Sequence, residues 1–142
     1  MGVFVGLDPG VNTGLAVWDS ESRTFLDIRT CGIVAAMEIV GHYTQALRLD
    51  GRVVFEDARR RKWLPQERNL SEYRGKLMGA GSVKRDCDIW EEFCKRYEIP
   101  YTAIPPAAGR TKWDADYFKK VTGWTGRTSN HARDAALLVF GK

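Results

Sequence analysis

Val3-Phe4-Val5-Gly6-Leu7-Asp8-Pro9-Gly10-Val11-Asn12-Thr13-Gly14-Leu15-Ala16-Val17-Trp18 is the stretch that decides the fold. Val3 to Leu7 is an apolar run halted by Asp-Pro-Gly, and Gly14 to Trp18 is a second run halted by Asp19-Ser20-Glu21-Ser22. Two strands joined by a glycine-rich turn are predicted. Thr24 to Thr30, with Phe25, Leu26, Ile28 and Thr30, alternates well enough to add a third strand and complete an antiparallel meander.

Beyond the meander, Ile33, Met37, Val40, Thr44 and Leu47 recur at helical spacing, so an amphipathic helix is predicted from Ile33 to Leu49, closed by Asp50-Gly51. Arg52 to Phe55 reads as a fourth, buried strand. A helix between the third and fourth strands suits a right-handed crossover, which lays the fourth strand parallel to the first with their C-terminal ends together. Tyr73, Leu77, Ala80, Val83, Cys87, Trp90, Cys94 and Tyr97 then mark the longest helix, with Ser71 as its cap and Glu72 in its first turn. Gly75, Gly79 and Gly81 inside it either break the helix or admit another backbone; close approach, with a symmetry mate as the candidate, is the expectation. Tyr101 to Ile104 gives a fifth strand, Asp114 to Val121 a short helix, and Asn130 to Phe140 a last helix stopped by Gly141. The order β-β-β-α-β-α-β-α-α implies one α/β domain over residues 1–142. Its mixed five-stranded sheet has a three-strand antiparallel meander and two parallel strands, flanked by helices.

A chain of 142 residues can bury a sizeable core as one domain. Mean hydropathy of −0.36 fits a soluble globular protein. No basic leader or cleavage site precedes Asp8, and no run reaches the roughly 18 apolar residues of a membrane helix, so a soluble intracellular protein is expected. Cys31, Cys87 and Cys94 form no C-x-x-C pair, and their odd number argues against a disulfide framework; Cys87 and Cys94 share a helical face and read as buried thiols.

The net charge of +4 conceals a segregation. Residues 1–58 carry 4 basic and 8 acidic side chains, residues 59–85 carry 9 basic against 2 acidic, and residues 109–133 carry 6 against 2. Trp63, Tyr73, Trp113 and Trp124 are interleaved with the basic blocks. Cations that displace condensed counterions, beside flat rings for unpaired bases, suit a polyanion; a solvated basic surface over core tryptophans is the plain alternative. Candidate DNA contacts in these blocks are Arg59, Arg60, Arg61, Lys62, Trp63, Arg74, Lys76, Arg110, Lys112 and Arg127.

Three separated acids carry the chemistry. Asp8 ends the first strand, Glu56 ends the fourth, and Asp134 lies in the first turns of the last helix with His131 three residues earlier on the same face. Carboxylates brought that close repel one another and call for a cation. Oxygen ligands with at most one imidazole favour magnesium or manganese over zinc. Asp57 should face away from Glu56, and Asp19 lies at the distant hairpin tip.

Gly6-Leu7-Asp8-Pro9-Gly10-x-x-Thr13-Gly14-x-Ala16, Val53-Val54-Phe55-Glu56 and Asn130-His131-Ala132-Arg133-Asp134-Ala135-Ala136 resemble, in order and rough spacing, the active-site segments of RuvC-type Holliday junction resolvases. The resemblance implies an RNase H-like fold, a homodimer, and two magnesium ions per site with manganese as substitute. It further implies cleavage of four-way junctions in the cytoplasm of a bacterium or phage-infected host. Asp8, Glu56, His131 and Asp134 then occupy metal-binding and catalytic positions. Gly79 to Arg85 falls where the long helix of the family meets DNA and the partner subunit, which adds Ser82, Lys84 and Arg85 as candidate phosphate contacts. The chain departs from the family in its shorter length and in the basic, aromatic-bearing segment from Arg59 to Leu70. Hydrolysis in this class leaves a 5′ phosphate and a 3′ hydroxyl. The competing readings are an RNase H-like nuclease acting on flaps or RNA–DNA hybrids, and a non-catalytic branched-nucleic-acid-binding module of the same fold. A sugar-kinase or actin-like ATPase needs two lobes around a nucleotide and finds room for only one; no P-loop pattern is present, so no nucleotide cofactor is expected.

Overall fold

The computed structural model of the chain describes residues 2–46, 50–61, 69–106 and 111–142. Strands β1 (Gly2–Asp8), β2 (Thr13–Asp19), β3 (Thr24–Cys31), β4 (Asp50–Glu56) and β5 (Tyr101–Ile104) form one sheet in the order β3-β2-β1-β4-β5. β1 pairs antiparallel with β2 and β2 with β3, whereas β1–β4 and β4–β5 are parallel. Helices α1 (Ile33–Gly41), α2 (Leu70–Arg96), α3 (Ala115–Thr122) and α4 (Asn130–Val139) complete an α/β fold.

The period of two along each strand sends alternate residues to opposite faces. Val3, Val5 and Leu7 of β1, Leu15 and Val17 of β2, and Val53 and Phe55 of β4 point to one face, where Ala36 and Val40 of α1 and Cys87, Trp90 and Cys94 of α2 cover them. Ala16, Trp18, Ile28 and Val54 point to the other, under Ala132, Ala135, Ala136 and Val139 of α4 and Phe118 of α3. Gly6 and Gly14 belong to this second face and admit α4. A Cβ on Gly6 would overlap the Ala135 carbonyl oxygen, and one on Gly14 the His131 carbonyl oxygen. The backbone of α4 therefore rests directly on the backbone of β1 and β2.

Several boundaries differ from expectation for local reasons. The helix predicted to run from Ile33 to Leu49 stops at Gly41 and widens into a π-type turn over His42–Ala46; residues 47–49 lie outside the described residues. In that turn the Thr44 hydroxyl donates to the Val40 carbonyl at 2.7 Å, a side-chain bond that competes with the regular ladder. Asp50-Gly51 does not merely end a helix: it opens β4, since Gly2 pairs with Asp50 and Val3 with Gly51.

The long helix is unbroken over 27 residues, about 40 Å of rise. Its cap is Asn69 rather than Ser71, because the Asn69 side-chain oxygen accepts from the Ser71 N–H at 2.9 Å. Nothing among the described residues lies within 4 Å of a Cβ added to Gly75, Gly79 or Gly81, so the close approach predicted there is not supplied by the described residues. Among the described residues, those of α2 that are buried in the core, Cys87, Trp90 and Cys94, all lie in its C-terminal half. Leu70 and Met78, in the other half, are 62% and 77% exposed. The thiols of the C-terminal half are buried as predicted, and burial pushes Cys87 up to about 11 and Cys94 up to about 12. Among the described residues, no helix is long and apolar enough to cross a membrane.

Candidate active site at the ends of β1 and β4

Leu7 pairs with Phe55 across the parallel β1–β4 ladder, so the next residues, Asp8 and Glu56, emerge side by side on the face that carries α4. The N-terminus of α4 stands over the same strand ends, held there by Gly6 and Gly14 and capped by Ser129, whose hydroxyl oxygen accepts from the Ala132 N–H at 3.0 Å. One helical turn presents both His131 and Asp134. His131 Nδ1 meets Asp8 Oδ2 at 2.9 Å, and Lys112 Nζ meets Asp134 Oδ2 at 3.3 Å.

These groups share one cleft of about 730 Å³. Asp8, Pro9, Glu56, His131 and Asp134 line it on the sheet and α4 side, together with Lys112. The opposite wall is built by Ala58 and Arg61 and by Tyr73, Lys76, Leu77, Ala80, Val83 and Lys84 of α2. A carboxylate floor thus faces a wall that mixes cations with apolar surface.

Burial pushes the Asp8 carboxyl above its ordinary range, and the neighbouring charge of Asp134 pushes the same way; the His131 hydrogen bond and the charges of His131 and Lys112 pull against it. Asp8 is therefore a carboxylate in need of positive charge. Among the described residues no three His, Cys, Asp or Glu side chains are grouped closely enough to grip an ion as they stand. Two of the acids are instead engaged by His131 and Lys112. The donor chemistry, three carboxylates and one imidazole lining a common cleft around the half-buried Asp8, fits a hard divalent cation that exchanges with those contacts.

The basic residues divide. Arg61, Lys76, Lys84 and Lys112 line the cleft. Arg74, Ser82 and Arg85 are exposed on α2 outside its lining, and Arg127 is exposed in the loop before α4. Lys62, Trp63 and Arg110 lie outside the described residues. Trp113 and Trp124 pack against the second core cluster rather than standing out as base platforms, leaving Tyr73 as the described aromatic of that set in the cleft.

Arg59 is engaged elsewhere. Its guanidinium donates to Asp57 at 2.8 and 3.0 Å, to Asp88 at 2.9 Å and to Glu91, tying the 3-10 turn after β4 to α2. Asp57 does turn away from Glu56, and it is buried in this network. Lys95, followed by Arg59, holds the Glu91 carboxyl down at about 2, and Arg59 holds Asp57 low. Carboxyls lowered by folding contribute stability that is present above their ordinary values and is lost as pH falls through the folded ones. Arg59→Met is thus expected to destabilise the protein at pH 7 by about 2–3 kcal/mol, below the figure for a fully isolated buried charge, since Arg60 still reaches Asp57 at 3.6 Å. It should also flatten the loss of stability between pH 4.5 and about 2. Urea unfolding followed by circular dichroism across that range checks both.

Arg133 was not singled out from the sequence, yet it is 8% exposed beside Asp134. A cation among the alanines of an otherwise apolar helix face was the available signal. No protein-family model matches the chain, and none of the curated proteins matches its sequence.

Proposed function

We propose that the cleft is the active site of a metal-dependent endonuclease acting on branched DNA, with the four-way Holliday junction as its first substrate, and that the sheet and helices are an RNase H-like fold. The observation that carries this reading is convergence: Asp8, Glu56 and the His131–Asp134 pair, from three distant parts of the chain, line one cleft whose other wall bears Arg61, Lys76 and Lys84. Such a wall suits backbone phosphates, which position a duplex arm without reading its bases.

Two magnesium ions, or manganese in their place, would supply an activated water for in-line attack on phosphorus and charge stabilisation at the leaving 3′ oxygen. Asp8, Glu56 and Asp134 would hold them. Asp8 engages His131 through Nδ1, so Nε2 is the atom at which His131 would take up or release a proton. Lys112 would turn from Asp134 toward the substrate phosphate as positive charge enters the cleft. The products are a 5′ phosphate and a 3′ hydroxyl. The exposed Leu70 and Met78 in the N-terminal half of α2 support a second copy as partner, and a two-fold dimer suits a substrate with two equivalent scissile strands.

Synthetic four-way junctions, flaps and RNA–DNA hybrids, incubated with magnesium, manganese or a chelator, test the reading. Metal-dependent paired cutting of the junction is expected. Preference for flaps or hybrids would move the substrate assignment within the same chemistry, and junction binding without cleavage in either metal would overturn the enzyme.

A further inference from the structure

We infer that Arg133 is a positioning residue, a clip that fixes where Lys112 enters the carboxylate cluster. Its Nε donates to the Trp113 carbonyl at 2.9 Å, its Nη1 to the Thr128 carbonyl at 2.7 Å and hydroxyl at 2.9 Å, and its Nη2 to Asn130 Oδ1 at 2.5 Å. All four acceptors are neutral oxygens. Burying a guanidinium without a carboxylate is expensive even when its donors are satisfied. Nor does a cation near the positive N-terminal end of a helix gain from the helix dipole. Packing alone would favour another alanine, as at Ala132, Ala135 and Ala136, which line the same core.

What its partners have in common explains the choice. Trp113 directly follows Lys112, Thr128 and Asn130 flank the cap residue Ser129 of α4, and Arg133 itself precedes Asp134. Each end of the Lys112–Asp134 contact is therefore one residue from an anchor of the clip. Residues 111–114 have no helix or strand of their own. The Trp113 ring is held among Tyr117, Phe118 and Phe140, which fixes the side chain; Arg133 fixes the peptide carbonyl, and with it the direction in which Lys112 leaves the backbone. A fork of rigid donors suits this role, and a lysine ammonium cannot span the same three residues.

The structural half of this inference stands on geometry alone; its catalytic half rests on the nuclease reading. The test uses Arg133→Lys, Arg133→Met, Lys112→Met and the double variant Arg133→Met/Lys112→Met. Tryptic cleavage after Lys112 should quicken about tenfold or more in Arg133→Lys while circular dichroism shows the fold unchanged. Cleavage there at the wild-type rate would overturn the clip. In junction cleavage, Arg133→Met and Lys112→Met should each lower kcat by about tenfold, and the double variant should be no slower than Lys112→Met alone. Multiplying losses would show general loosening of the fold and overturn the positioning role. Should Arg133→Met fail to fold, Arg133→Lys carries both arms. Absence of junction cleavage by the wild type would sink the nuclease reading, with the proteolysis still deciding the clip.

Discussion

Asp8→Asn is expected to abolish metal-dependent cleavage while raising the melting temperature. The two effects have one cause. Burial and the nearby Asp134 raise the Asp8 carboxyl, so at neutral pH folding forces a carboxylate into a place that disfavours it. A carboxyl whose folded value lies above its unfolded one subtracts stability once pH exceeds the unfolded value. The amide removes that burden and still fits the space. It also removes the charge that any cation between β1 and α4 would need, and the loss in kcat should be at least about 10³-fold. Thermal melts and a junction-cleavage time course on the same preparations check the pair. An Asp8→Asn variant that cuts like the wild type would remove Asp8 from the chemistry.

Gly14→Ala should be as damaging to the fold as Asp8→Asn is to the chemistry. Its methyl group would be driven into the His131 carbonyl, which is helix backbone and cannot turn aside. α4 must lift from β2, carrying His131 away from Asp8 and Asp134 out of the cleft. A cost of about 3 kcal/mol or more is expected, with cleavage lost even in molecules that remain folded. Gly75→Ala is the contrast. Its new methyl group enters open space, so helix propensity should add about 0.5–1 kcal/mol in the monomer. If a second copy seats on this face, the same substitution weakens the dimer, which sedimentation velocity would register.

The legible part of the fold was the part with a period. Val3 to Leu7, Gly14 to Trp18 and Val53 to Phe55 announce strands because apolar runs end on turn residues or acids, and the crossover rule then sets β4 beside β1. The placement of Asp8 and Glu56 follows the same logic, since a strand that ends in a carboxylate delivers it to the sheet rim. What stayed hidden depends on contacts between distant segments. Nothing local distinguishes Gly6 and Gly14, which admit α4, from Gly75 and Gly79, which face open space. Arg59 looked like one more member of a basic run until Asp88 and Glu91, about thirty residues away in sequence, came to lie beside it. The π-type turn after α1 carries a Thr44 hydroxyl bond to the Val40 carbonyl that helical periodicity does not record. Arg133 was masked by its neighbours in the His131–Asp134 segment, although it joins that segment to Trp113.

The central claim is that Asp8, Glu56 and Asp134 form a divalent-cation site, and calorimetric titration of the metal-free protein with manganese tests it without DNA. Saturable binding is expected in the wild type, competed by magnesium and weakened at least about tenfold by Asp8→Asn and by Asp134→Asn. No saturable binding, or equal affinity in the wild type and both variants, would contradict it.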